Sequence, residues 1–189
     1  PEPAPAPAAP HNRPRDPAAG IYDYDAALAA TRALYAKYHL DRDLQDARAL
    51  YPFVTIWDDH EFGNDVWQSF SGDGSNPVGR MAATQVWSEW VPQVLSESST
   101  IGRVPNHARD FQRAPVAGEP LGQFDDEYLA RNRQNLAAIE AMTSYRAIRW
   151  GKLVDLILTD NRSYRGPGSD PLAPIAGTVQ RPALKDALG

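Results

Sequence analysis

Asp58, Asp59, His60 and Glu61 follow directly on an apolar run, and Asn64 and Asp65 close the same short stretch, TIWDDHEFGND (55–65). Nowhere else does the chain set charge so densely beside apolar residues. Successive side chains on a strand point to opposite faces, so three neighbours converge only if the chain turns tightly after the strand. Carboxylate oxygens with an imidazole suit hard or borderline cations such as calcium, magnesium, manganese, zinc or iron. A cation held there would lower the pKa of a bound water from about 15.7 to about 7. The histidine could then protonate a leaving group or stabilise charge on a phosphoryl oxygen. The alternative is an acidic turn in which Asp58 caps the next segment and His60 packs on Trp57. A bare Asp-Asp-His triplet is compatible with both.

Arg162 and Arg165 form the second chemical feature, in TDNRSYRG (159–166). An arginine fork clamps a phosphate through two parallel hydrogen bonds. Pairing of Arg162 with Asp160 or Asp59 as a buried ion pair is the equal alternative.

The elements that must position these groups are read from periodicity. PFVTIW (52–57) is short, β-branched, aromatic and apolar throughout, which predicts a strand buried on both faces of a layered α/β sheet. The acidic stretch then lies at the carboxyl end of a central strand, where open α/β sheets place their sites. A helix is predicted over 24–38, with Leu28, Thr31, Leu34, Tyr35 and Tyr38 on one face. Asp41 caps a second helix whose Leu44 and Leu50 face the core. His39 lies between the two as a surface or capping residue. SGDGSNPVGR (71–80) reads as a loop, followed by a helix in MAATQVWSEWVPQVL that ends near Pro92. Its Ala83, Trp87 and Trp90 read as a packing face. Residues 98–125 are polar and loop-rich, with His107 on the surface. A further helix is predicted over 126–142. Strands follow in SYRAIRWG and LVDLILTD, joined by a two-residue turn at Gly151–Lys152. Asp160, Asn161 and Arg162 stand at the end of the second strand, and QRPALKDALG begins a last helix.

Composition sets the outer limits. The 189 residues carry a net charge of −5 and no cysteine, which excludes disulfides, thiolate zinc sites and a thiol nucleophile. No clustered basic face of the kind nucleic-acid binders use is visible. No run approaches the roughly 20 apolar residues that span a bilayer. Residues 1–20 hold seven of the 17 prolines and read as an extended linker in which His11 and Arg13 are solvated. The chain opens on Pro1 without a signal-peptide pattern, which reads as a processed product or a fragment.

YPFVTIWDDHEFGND resembles the P-x-x-x-x-W-D-D-H-E-x-x-N segment of the alkaline phosphatase D (PhoD-like) metallophosphatases. Other blocks follow in that family's order: ATRALYAKYHLDRDLQDARALYPF, MAATQVWSEWVP, YRAIRWGKLVDLILTDNRSYRG and VQRPALKDALG. The resemblance covers most of residues 22–189.

It implies a calcineurin-like α/β/β/α sandwich, with residues 21–189 as its central part. It also implies two metal ions, calcium and iron, and hydrolysis of phosphate mono- or diesters by an exported (secreted or periplasmic) enzyme. By resemblance Asp59 is a metal ligand and His60 contacts the scissile phosphate. Asp58 helps ligate or orient, Arg162 contacts substrate or supports the site, and Asn64 matches an asparagine of the motif. The family's upstream Gly-Asp motif, an early aspartate and a cysteine, and the later histidine-bearing metal motifs have no counterpart here. The expectation is therefore a slice that needs the missing segments of the same domain as partners, and whose unpaired strand edges invite association. The rival reading is a non-catalytic metal-binding or interaction module. Within the enzyme reading, preference for diesters such as phospholipid head groups is the second choice.

Overall fold

The computed structural model describes residues 23–71, 74–91, 100–101, 104–105, 108–117, 125, 128–168 and 170–188. The proline-rich stretch 1–20, Pro92 and His107 lie outside them. The fold is mixed α/β. Helices pack on one another, and the strands form three short antiparallel pairs.

Helix α1 (Tyr24–His39) starts where Asp23 accepts the N–H groups of Asp25 and Ala26 at 2.9 and 3.1 Å. Such a cap satisfies donors the first turn leaves open, and the alanines that follow favour the helix. Helix α2 (Arg42–Leu50) is capped by Asp41, which accepts the Leu44 N–H at 2.9 Å. Both starts agree with the sequence. The inward face of α2 does not: the helix buries no residue, and Leu50 is 73% exposed. It touches α1 at one end and has no covering layer among the described residues.

Helix α3 (Pro77–Trp90) begins inside the stretch predicted to be a loop. Asn76 accepts the Gly79 N–H at 2.8 Å, and Pro77 stands at the first helical position, where its missing N–H costs nothing. The residues that suggested a loop are the cap. Before it, β1 (Phe70–Ser71) pairs with β2 (Gly74–Ser75), and after it β3 (Thr100–Ile101) pairs with β4 (Val104–Pro105). Helix α4 (Arg133–Ile139) is shorter than predicted. Tyr128 lies in the left-handed region at φ 64°, so no helix runs through it, and the helix starts at its Asn132 cap. β5 (Arg146–Trp150) and β6 (Val154–Leu158) form the expected hairpin. Trp150 pairs with Val154, so the turn has three residues, 151–153, and opens on Gly151 at φ 64°. Helix α5 (Gly177–Leu188) ends the described chain.

The largest departure concerns Pro52–Trp57. The segment is extended, but no strand pairs with it among the described residues. Phe53, Val54 and Ile56 are 48%, 44% and 43% exposed. Continuous apolarity predicts burial only where layers exist on both sides, and among the described residues neither covers this segment. Only Trp57 turns fully inward.

Trp57 joins Phe62, Val66, Ala83, Trp87, Val91 and Met142 in the main core cluster, with Trp57 and Trp87 edge-to-face at 5.7 Å. A second cluster sets Ala27 and Leu28 of α1 against Ala82 and Val86 of α3. A third, Leu129, Ile139 and Tyr164, lies beneath the β5–β6 end. Each large side chain so buried contributes about 1.5–3 kcal/mol of transfer free energy. Trp57 thereby anchors the residues that follow it.

Candidate active site

After Trp57 the chain turns. The Asp59 carbonyl accepts the N–H groups of Phe62 and Gly63 at 2.9 and 2.8 Å. Phe62 is buried in the core, so the turn is held from below while Asp58 and His60 face out. The Asp59 carboxylate is buried and accepts two further backbone N–H groups, from His60 at 2.9 Å and Asp65 at 2.9 Å. Asp65 reaches it from a left-handed conformation, φ 52°. Glu61 accepts the Asp58 N–H at 3.1 Å. The stretch is therefore a rigid acidic turn.

Arg162 crosses to this turn from 104 residues away. Its Nε donates to Asp58 at 2.7 Å, and its Nη2 stands 3.6 Å from Asp59. Of the ion pairs left open for Arg162, the one with Asp59 is present at 3.6 Å, Asp58 is the nearer partner, and only the backbone N–H goes to Asp160, at 3.0 Å. The Arg162 carbonyl accepts the Gln68 N–H at 2.7 Å. His60 does not pack on Trp57. Its imidazole is 72% exposed and lies 3.9 Å from the Asp59 carboxylate.

The structure thus brings Asp58, Asp59, His60 and Arg162 together. Asn64 is exposed and donates to its neighbour Asp65 at 2.7 Å, apart from that group. Arg165 turns its Nε to the Gly166 carbonyl at 3.3 Å, and its own carbonyl accepts the Gln68 side chain at 3.1 Å.

Electrostatics sort the carboxylates. Burial pushes Asp59 up, but the Asp65 N–H, the Arg162 guanidinium and His60 outweigh it and hold the carboxyl below its ordinary value. Burial raises Glu61, with Asp58 and Asp59 adding to the rise. Asp59 is thus the member of the turn held most firmly as an anion.

Beneath the turn lies a layer of buried polar residues that periodicity did not reveal. The Asp160 carboxylate accepts the N–H groups of Arg162 and Ser163 and the hydroxyls of Ser144 and Ser163, all within 3.0 Å. Gln180 of α5 meets the Asp160 backbone on both sides, at 2.8 and 2.7 Å. Gln68, fully buried and left-handed at φ 50°, donates its side chain to the carbonyls of Tyr128 and Arg165. Its side-chain oxygen accepts from Ala130 and Asn135. Arg80 reaches both halves of this layer. The one sequence signal for it was Asn-Pro at 76–77, a cap followed by a first-turn proline, which sets Arg80 on a helix and not in a loop.

A metal site can be tested against these positions. Among the described residues no group of three or more His, Cys, Asp or Glu side chains converges as one. Asp58 is taken by Arg162, and both Asp59 oxygens already accept an N–H. Each carboxylate oxygen has two lone pairs, so Asp59 retains one on each oxygen for a ligand bond. The residues present therefore fit one ligand of a metal centre and not a two-metal centre of their own. No helix among the described residues is long and apolar enough to cross a membrane.

A family model described as PhoD-like phosphatase matches residues 25–188, which takes in every element from α1 to α5. No curated protein and no solved structure matches the chain.

Proposed function

The chain belongs to the PhoD-like phosphatase family, and from that membership we propose that the turn at Asp58–Glu61, with Arg162, is the phosphate-handling edge of a metal-dependent phosphoesterase. Membership gives the general activity, hydrolysis of phosphoric esters. The contact of Arg162 with Asp58, 104 positions apart, carries the assignment to these residues.

The roles follow from placement and charge. Two acidic side chains, Asp58 and Asp59, face the Arg162 guanidinium, and Glu61 adds a third carboxylate beside them. A phosphoester adds further negative charge, and like charges at close range repel unless cations offset them. That excess supports metal dependence. Asp59, held ionised and partly free to coordinate, supplies one ligand. The remaining ligands come from residues outside those described, within a calcineurin-like sandwich of which residues 21–189 form the central part. Calcium and iron are the metals the family resemblance implies, and the metals when bound supply an activated water. His60, exposed beside Asp59, meets the phosphoryl oxygens or protonates the leaving group. Arg162 keeps N–H groups beyond those given to Asp58, and these orient a phosphoryl oxygen. Asp58 holds Arg162 in place. Asn64 reaches substrate only by leaving Asp65. Export from the cytoplasm is part of the same reading.

The test is elemental analysis of the purified chain beside hydrolysis of p-nitrophenyl phosphate and bis(p-nitrophenyl) phosphate, with calcium and iron supplied. The expected outcome is bound metal that Asp59→Ala abolishes, and turnover that His60→Ala lowers by about 10²–10⁴-fold. The ratio of the two rates decides between monoesters and diesters. Metal-free protein, unchanged by Asp59→Ala and inert on both esters, would favour a non-catalytic interaction module. The lack of a converged ligand group among the described residues is the observation on that side.

A further inference from the structure

Arg80 is 2% exposed and touches three segments that are far apart in sequence. Its guanidinium carbon lies 4.3 Å from the centre of the Trp57 ring, immediately before the acidic turn. Its Nη1 donates to the Gln68 carbonyl at 3.0 Å, and its Nη2 to the Ser163 hydroxyl at 2.6 Å, immediately after Arg162. Gln68 in turn donates its N–H to the Arg162 carbonyl, and Ser163 donates to Asp160. Arg162 is thus flanked by two residues that Arg80 holds, and the acidic turn is preceded by a third. Burial pulls Arg80 down to about 10, so it remains a cation at neutral pH.

We propose that Arg80 is the positioning residue of the site: it sets the distance between the Arg162 guanidinium and the Asp58–His60 turn by holding Trp57, Gln68 and Ser163 at once. This rests on the reading of Arg162 and the turn as the phosphate-handling edge. A planar fork is needed for the task. Two nitrogens in one rigid plane meet the two oxygens while the flat face stacks on the indole, and a lysine ammonium, a single point charge, does neither in that geometry. The cost of burying such a charge is offset only where its bonds are made, and its Nε has no acceptor among the described residues. A side chain serving packing alone would be replaced without loss by an apolar one.

The test reads Arg162 directly. In the nitrogen-15-labelled protein the Arg162 Nε–Hε signal reports its bond to Asp58, and its loss in Arg162→Lys identifies it. In Arg80→Lys, exchange of that proton with water rises roughly tenfold, as expected when a charge-assisted bond loses its fixed partner. Ser163→Ala, a milder cut that removes only one of the three links, moves it in the same direction. Val86→Ala, in the α1–α3 cluster away from the site, lowers stability and leaves the signal in place. An Arg162 proton unchanged in both Arg80→Lys and Ser163→Ala would overturn the inference, as would an equal change in Val86→Ala. Titration of the parent protein with inorganic phosphate separates the two readings. If phosphate leaves the Arg162 signal untouched, the phosphate role of Arg162 fails, and the positioning role stands on the variants alone.

Discussion

Two regions of this molecule invert the usual rule of burial. Pro52–Ile56 is apolar and largely exposed. The layer formed by Gln68, Asn76, Arg80, Asn135, Asp160, Ser163 and Gln180 is polar and buried. The two meet at Trp57, whose ring carries Arg80 on its face. The difference teaches what hydropathy measures. An apolar segment gains by burial only if another surface arrives to cover it, whereas a polar group accepts burial only where its own hydrogen bonds offset the water it gives up. The first condition depends on neighbours; the second depends on directional bonds that the residues make with one another.

The contrast breaks first at Asp160. Asp160→Ala leaves two backbone N–H groups and two hydroxyls without their acceptor and Arg80 without the carboxylate that favours its charge most. We expect a loss of about 3–5 kcal/mol in urea unfolding. Next comes a pair of adjacent positions. Trp57→Ala opens the core and costs about 3 kcal/mol. Ile56→Ser, one residue earlier, stays within about 0.5 kcal/mol in the same titration. It also lowers concentration-dependent light scattering, because the apolar strip is the exposed edge. Equal costs for the two would mean that the strip is packed in solution.

The smallest effect is a matter of sign, read as urea midpoints between pH 2 and pH 7. Asp59 is held below its ordinary value, so its contribution is present above the unfolded carboxylate value of about 3.9 and is lost as pH falls through the lower folded value. Asp59→Asn therefore flattens the acid limb of the stability curve. Glu61 is raised by burial, so its charged form costs stability above the unfolded value, and that cost is relieved as pH falls through the raised folded value. Glu61→Gln gains stability near pH 7 and loses the upturn on mild acidification. Identical profiles for the two variants would remove the electrostatic distinction between the carboxylates.

Much of the local structure was legible because its causes are local. The Asp41 cap, the Ala-rich α1, the Trp87 packing face and the β5–β6 hairpin all follow from a few neighbouring residues. The tight turn after Trp57 was legible for the same reason. Arg162 was legible as a candidate and Asp59 as one of its partners, but the nearer partner, Asp58, was not. Asp58, Asp59 and Asp160 were all available by charge, and only the path of the chain over a hundred residues decides among them. The strip at 52–56 was misread because hydropathy reports a preference and not the presence of a partner layer. The buried polar layer left no periodic trace, since glutamine, asparagine and serine enter a core through individual hydrogen bonds and not through a stripe.

The bonds that close the site are also among the longest in sequence that the fold contains. Arg162 meets Asp58 across 104 positions, Gln68 meets Arg165 across 97, and Arg80 meets Ser163 across 83. Such closures sacrifice chain freedom before any contact rewards them, and they tend to come late in folding. Time therefore separates what space joins. The α2 turns and the β5–β6 hairpin close over short loops, while the site waits for two distant segments of the sequence to find each other. Substitutions at this junction would then be felt mainly as faster unfolding, with the early steps of refolding left at their former rate.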